Sequence, residues 1–433
     1  MLKLVYNVFG ASIQTILNIL FVIFLPFFFT IEEFSNFTRV IFISSVLVVF
    51  FSLGLEQVLL STYRANIKRI LFMFALSQII LLIFTIYFFE MLPNEISKLK
   101  IEIYLTTSFS LFAFNMMNTL RSHQKESLVN IVSISSFIFT IIIISIIYLF
   151  KFRISITYLP FIFPLLCASK LIIILLWNNF ESIENFSSSS LLVASILNMM
   201  MLIGISFDRS LSSTIFSDLH LSIFYFNSSI AIFGSILLEN LLKVYLPKFE
   251  FISNEVKKHI LSNVLVISTY SSFFVCLILT IINQFFYQFP LFNLKIAVLI
   301  IVSKNILFSF GPTKHLIVTN HKTKLLLSSI IMNLLLLSGY FSLKPSSVEE
   351  LCLVIFCFGL IGSITIKLLI NNLISSALNS FTLVIIVNSM GFLLAYFANN
   401  QIYLIIYCSI ISILFSLALK DFILYSKKNI SKI

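Results

Sequence analysis

Charge is scarce in this chain, and glycine is scarcer. Asp, Glu, Lys and Arg make up 10% of 433 residues, with nine glycines, eight prolines, five cysteines and one tryptophan. No polar break is long enough to hold a soluble domain of even about 50 residues, which excludes a separate catalytic or nucleotide-binding module. There is no G-x-x-x-x-G-K-[ST] phosphate loop, so the chain is not its own ATPase. His123, His220, His259, His315 and His321 are scattered among loops and span ends, without metal-ligand spacing. Cys167, Cys276, Cys352, Cys357 and Cys408 all lie in apolar runs and form no disulfide framework. Without a long outer loop or a Ser/His/Asp arrangement, the sequence reads as a non-enzyme with no resident cofactor.

What is present is apolar length. Hydrophobic residues make up 59% of the chain, in fourteen stretches each near the ~20 residues that a membrane-spanning helix requires. The pattern predicts an all-α, polytopic integral membrane protein. The first six spans are placed at 8–29, 39–61, 70–92, 102–120, 128–150 and 157–178. The next six are 190–212, 221–246, 260–282, 295–312, 325–343 and 351–371, followed by a final pair at 376–398 and 401–420. The N-terminal run is longer than a signal-peptide core and lacks a small-residue cleavage site, so it is expected to remain as span 1.

The net charge of +11 forms no continuous basic stripe, which excludes a nucleic-acid surface; the basic residues cluster in short breaks. With the N-terminus inside, eighteen fall on cytoplasmic breaks. Eight fall outside: Arg39, Lys98, Lys100, Lys151, Arg153, Arg209, Lys295 and Lys344. That excess places both termini in the cytoplasm. The break over 179–190 is the most polar near the middle and reads as a linker. It divides a six-span lobe, 1–178, from a second, 191–372, with a helix pair and basic tail over 373–433.

An internal repeat supports two lobes. Ala11-Ser12-Ile13 matches Ala194-Ser195-Ile196, and Leu55-Glu56-Gln57-Val58-Leu59 matches Leu238-Glu239-Asn240-Leu241-Leu242, both at an offset of 183. Repeated bundles of this kind place the substrate path of a transporter between them.

The remaining information lies in charges inside the spans, each costing about 2.5–3.5 kcal/mol at the bilayer centre on insertion scales. Lys170 and Lys304 sit deepest and read as cationic lining for an anionic substrate, against a buried ion pair. Asp208-Arg209 stands in the outer half of span 7, where adjacent residues project about 100° apart and need not pair with each other. Glu56 and Glu239 hold equivalent places in the repeat and, with Asp208, are candidates for coupling to H+ or Na+. Lys243, four residues after Glu239, offers an ordinary helical ion pair instead; Arg64 lies two turns beyond Glu56. Asn115, Asn118, Asn198, Asn227, Asn240, Asn305 and Asn333 are expected to make interhelical hydrogen bonds.

Several of these features together resemble the polysaccharide repeat-unit flippases of the multidrug/oligosaccharidyl-lipid/polysaccharide exporter superfamily. They are Gly54-Leu55 followed by Arg64, Asp208-Arg209 with Leu211, Leu246-Pro247-Lys248 after a long span 8, and basic turns after spans 4 and 10. The chain departs from them in its scarcity of glycine and in Phe224-Tyr225-Phe226, where a Gly-Tyr-rich start to span 8 is expected. The resemblance implies two six-helix bundles in a V, rocking between inward- and outward-open states in a bacterial inner membrane. It implies a cargo of undecaprenyl-diphosphate-linked oligosaccharide for O-antigen, capsule or other surface polysaccharide. A polysaccharide polymerase and a chain-length regulator would be its partners. On that implication Lys170, Lys304, Arg209, Arg64 and Lys243 hold the headgroup. Many relatives have twelve helices, against fourteen here. A cation-coupled drug exporter of the same fold should line its cavity with carboxylates instead, and a membrane polymerase should carry a large outer loop.

Overall fold

The computed structural model describes Leu17 and residues 19–52, 55, 59, 66–123, 125–149, 155–177, 208–209, 211–245, 254–285, 288–308, 322–370, 378–397 and 400–430. Side chains within 232–261, 307–308, 322–329, 366–370, 378–381 and 422–430, and that of residue 264, are not described. Every described element is helical. Among the described residues twelve long helices follow one another: α1 Ile31–Phe51, α2 Ile67–Phe88, α3 Lys100–Ser122, α4 Glu126–Leu149, α5 Leu159–Trp177 and α6 Asp218–Tyr245. The second six are α7 Asn254–Phe285, α8 Leu294–Phe308, α9 Lys322–Leu343, α10 Val348–Ile370, α11 Leu378–Phe397 and α12 Gln401–Ile430. Helical turns at 19–24 and around 208–215 fall where spans 1 and 7 are expected. Seven of the described helical stretches are long and apolar enough to cross a bilayer by themselves. The chain is a multi-pass, all-α membrane protein.

One boundary error concerns the start of span 2. The sequence reading starts it at residue 39, but α1 begins at Ile31 because Thr30 caps it. The Glu33 backbone N–H donates to Thr30 Oγ1 at 3.2 Å, and the Thr30 N–H donates to Glu33 Oε2 at 2.9 Å. This reciprocal box satisfies two of the four N–H groups that every helix start leaves open. Arg39, which the sequence places at the outer edge of span 2, therefore lies more than two turns inside a helix. Asn66 caps α2 by accepting from the N–H groups of Lys68 and Arg69. At the other end of the chain α12 continues ten residues beyond the predicted 420.

Packing separates the chain into two compact units, 1–222 and 223–433. In the first, α3 packs against α1, α2, α4 and α5. It is the most polar of these helices and buries Thr107, Asn115, Asn118 and Thr119 in the interior. The more apolar α2 and α4 instead expose rows of Ile, Leu and Phe. In lipid, apolar surface gains little by being hidden, so the polar helix takes the centre. Val40, Leu47, Phe51, Leu81, Phe89, Ile103 and Leu111 join α1, α2 and α3 in one apolar core.

In the second unit α8 holds the equivalent place, with residues 297–302 all buried between α10 and α11. The final pair is not peripheral to this core: α12 packs along α7, and α11 packs against both α7 and α8. Asparagines act as expected here. Asn305 Nδ2 donates to the Thr269 carbonyl and to Asn388 Oδ1, both at 3.2 Å, joining α8 to α7 and α11. Asn227 Nδ2 donates to the Leu291 carbonyl at 3.0 Å and its Oδ1 accepts from the Asn293 N–H.

Candidate functional site

Lys170 belongs to the first unit, on α5. Ser155 starts the chain toward that helix by accepting from the Thr157 N–H, and a 3-10 turn over Ile156–Tyr158 leads into it. Pro164 lies within α5 and leaves one backbone carbonyl a turn earlier without its usual donor. Lys170 stands eleven residues after Leu159 and seven before the exposed Trp177, about 16 and 10 Å along the axis. That is deeper than the last-turn positions from which lysines reach the interface.

Its ammonium turns to α4. Nζ donates to Ser135 Oγ at 2.8 Å and to Ser136 Oγ at 3.3 Å, and lies 4.8 Å from the centroid of the Phe139 ring. Ser136 is fully buried and also bonds Cys167, one turn before Lys170. Every one of these partners is electrically neutral, and no ion pair to Lys170 exists among the described residues. Two of the three N–H donors are satisfied by hydroxyls. Phe139, Ile138, Ile142 and Ile173 flank the notch with exposed apolar surface, so a half-exposed cation sits in an otherwise apolar helix face.

The other expected residues are distributed differently. Lys304, on α8 of the second unit, is 1% exposed and presents no surface to a substrate in this conformation. Asp208 is enclosed in the first unit, and Arg209 beside it is half-buried with its guanidinium 5.6 Å from the centroid of Phe42 on α1. Glu239 and Lys243 lie on α6, in the stretch whose side chains are not described. Glu56 and Arg64 fall outside the described residues.

Sequence reasoning missed a charged cluster centred on Arg39. The Arg39 side chain is 3% exposed; Nη2 lies 2.8 Å from Glu95 Oε2 and Nη1 lies 2.9 Å from Asp218 Oδ1. Nη1 also donates to Asn36 Oδ1 at 3.1 Å and Nε to the Ser213 carbonyl at 3.4 Å. Ser35 Oγ donates to Asp218 Oδ1 at 2.8 Å. The Thr30-x-x-Glu33 box was the available signal: it starts α1 early and carries Arg39 more than two turns into the helix.

No family model matches the chain, and no curated protein matches it in sequence. Solved structures do match in fold. The lipid II flippase MurJ in an inward closed conformation aligns with a TM-score of 0.63 over 98% of this chain and 100% of its own, at 16% identity. A MATE transporter in the bent conformation gives 0.52 over 87% and 95%, at 14% identity. An outward-facing multidrug resistance MATE family transporter of the MOP superfamily gives 0.53 over 87% and 95%, at 12% identity. These neighbours are transporters, and the chain shares their fold.

Proposed function

We propose that the protein is a flippase for undecaprenyl-diphosphate-linked oligosaccharide repeat units, working by alternating access in a bacterial inner membrane with both termini cytoplasmic. The observation that carries this reading is the Lys170 notch: a cation deep in the bilayer whose described partners are the hydroxyls of Ser135 and Ser136 and the Phe139 ring. A permanent structural lysine in lipid is expected to sit against a carboxylate or carbonyls. One held only by neutral groups keeps its charge free for an anion that arrives and leaves.

A diphosphate headgroup cannot enter hydrocarbon without such compensation, and charge-assisted hydrogen bonds supply it. The full-length alignment with a lipid II flippase supports a lipid cargo. Arg209 is the second cation we assign to headgroup contact; Lys304, Arg64 and Lys243 would act in other conformations. Coupling to H+ or Na+ falls to Asp208, Glu56 or Glu239, and surface-polymer polymerase and chain-length proteins are the expected partners.

The multidrug MATE neighbours define the alternative, and one experiment separates the two. In a strain lacking the protein, the lipid-linked repeat unit should accumulate on the cytoplasmic leaflet, shielded from an externally added glycosidase. Surface polymer should be lost and drug susceptibility unchanged. Normal surface polymer with heightened susceptibility to cationic drugs would instead assign the protein as an exporter.

A further inference from the structure

The Lys170 notch has little with which to hold an anion, and that limits what it can read. An ammonium carries three N–H donors, and Ser135 and Ser136 take two of them. Neither hydroxyl adds a donor of its own. Ser135 Oγ donates to the Val132 carbonyl at 3.2 Å, and Ser136 is fully buried. The Phe139 ring, 4.8 Å from Nζ, covers a further side. Among the described residues, one N–H and one positive charge are left for a ligand.

The helices that form the notch supply no second cation. Lys170 is the one basic residue of α4 and α5, and Glu126, at the start of α4, is their one acid. The guanidinium of Arg209 packs on Phe42 of α1, which is neither of those helices. Holding both phosphates of a diphosphate calls for a forked guanidinium or a second charge. A lone ammonium acts as a point charge and takes one phosphate. The surroundings select which one. Ile138, Phe139, Ile142 and Ile173 are exposed around the notch and carry no polar group. That surface accepts hydrocarbon and offers sugar hydroxyls no partner, so it suits the phosphate attached directly to a lipid chain.

We propose that the notch recognises a single phosphate at the head of a long isoprenoid chain, so that polyprenyl monophosphate binds there no less readily than the diphosphate. Carrier lipid stripped of its sugars and one phosphate then competes with loaded carrier, which makes the spent lipid an inhibitor of transport. The inference rests on the flippase reading of the same site and narrows what that site reads.

The test is competition on the full chain, read by native mass spectrometry, between equimolar undecaprenyl phosphate, undecaprenyl diphosphate and undecaprenol. The monophosphate should be retained at no less than about a third of the level of the diphosphate, and undecaprenol should not be retained. Lys170→Met should lose both phosphorylated lipids together, by roughly tenfold or more, and an excess of inorganic phosphate should displace neither. A stronger preference for the diphosphate would overturn the inference and leave the flippase reading in place. Retention of the monophosphate by Lys170→Met, or its displacement by inorganic phosphate, would overturn it as well. If the natural chain retained neither phosphorylated lipid, the flippase reading would fall with it.

Discussion

Replacing Lys170 with methionine should separate stability from transport. The side chain has similar length, so the α4–α5 packing around Ser135, Ser136 and Phe139 is kept while the charge goes. Placing a lysine this deep costs about 2.5–3.5 kcal/mol. Two hydrogen bonds from a charged donor to serine hydroxyls return about 1.5–3 kcal/mol each. The bonds together return about 3–6 kcal/mol and exceed that cost by about 1.5 kcal/mol at mid-range, so Lys170→Met should lower folding stability by no more than about 2 kcal/mol. Transport is another matter. Loss of one charge-assisted contact to a phosphate, again about 1.5–3 kcal/mol, predicts a fall of roughly 10- to 150-fold in turnover. The assay pairs a thermal-unfolding curve of the purified protein with quantified surface polymer at matched protein level in cells. A large loss of thermal stability together with lost polymer would refute the reasoning, because it would make Lys170 a strut between helices.

Two further outcomes test the packing that supports the site. A methyl group on Gly391 would lie 2.6 Å from Tyr407 Oη and 2.8 Å from Cζ. The Tyr407 ring cannot yield, since its hydroxyl donates to the Val387 carbonyl at 2.7 Å and its edge meets Phe273. Gly391→Ala should therefore cost about 1–3 kcal/mol in thermal unfolding, and Tyr407→Phe in the same chain should recover part of it. An unchanged melting temperature would show that α11 and α12 are not packed as described. A double-mutant cycle with Asn305→Leu and Asn388→Leu should give a coupling near 0.6 kcal/mol and no more than about 1.7. Strict additivity would mean that the bond between α8 and α11 contributes nothing.

Most of the fold could be read from hydrophobic length, because in a membrane the helix is the local solution to backbone hydrogen bonding and its span is set by the bilayer. The predicted limits of α3, α4 and α5 agree with the structure to within two residues. Span 2 failed because its start is set by a capping box rather than by hydropathy: Glu32 and Glu33 look like loop residues until Thr30 is recognised as their cap. That single error hid Arg39, which counted as an outside charge at the edge of span 2 while in fact lying inside the first unit. The depth of Lys170 was legible from its spacing to both helix ends. Its serine partners were not, since α4 and α5 are apolar nearly all round and give no clue to which faces meet. The same ambiguity separates Lys170 from Lys304: both are mid-span lysines in sequence, yet one is half exposed and the other enclosed. Rotation about a helix axis decides between them, and only packing fixes rotation.

Native mass spectrometry of the purified protein bears most directly on the Lys170 notch as an anion site. Undecaprenyl diphosphate should be retained by the natural chain, undecaprenol of the same tail length should not, and Lys170→Met should lose the diphosphate at least tenfold. Equal retention of both lipids, or undiminished diphosphate binding by Lys170→Met, would contradict the account.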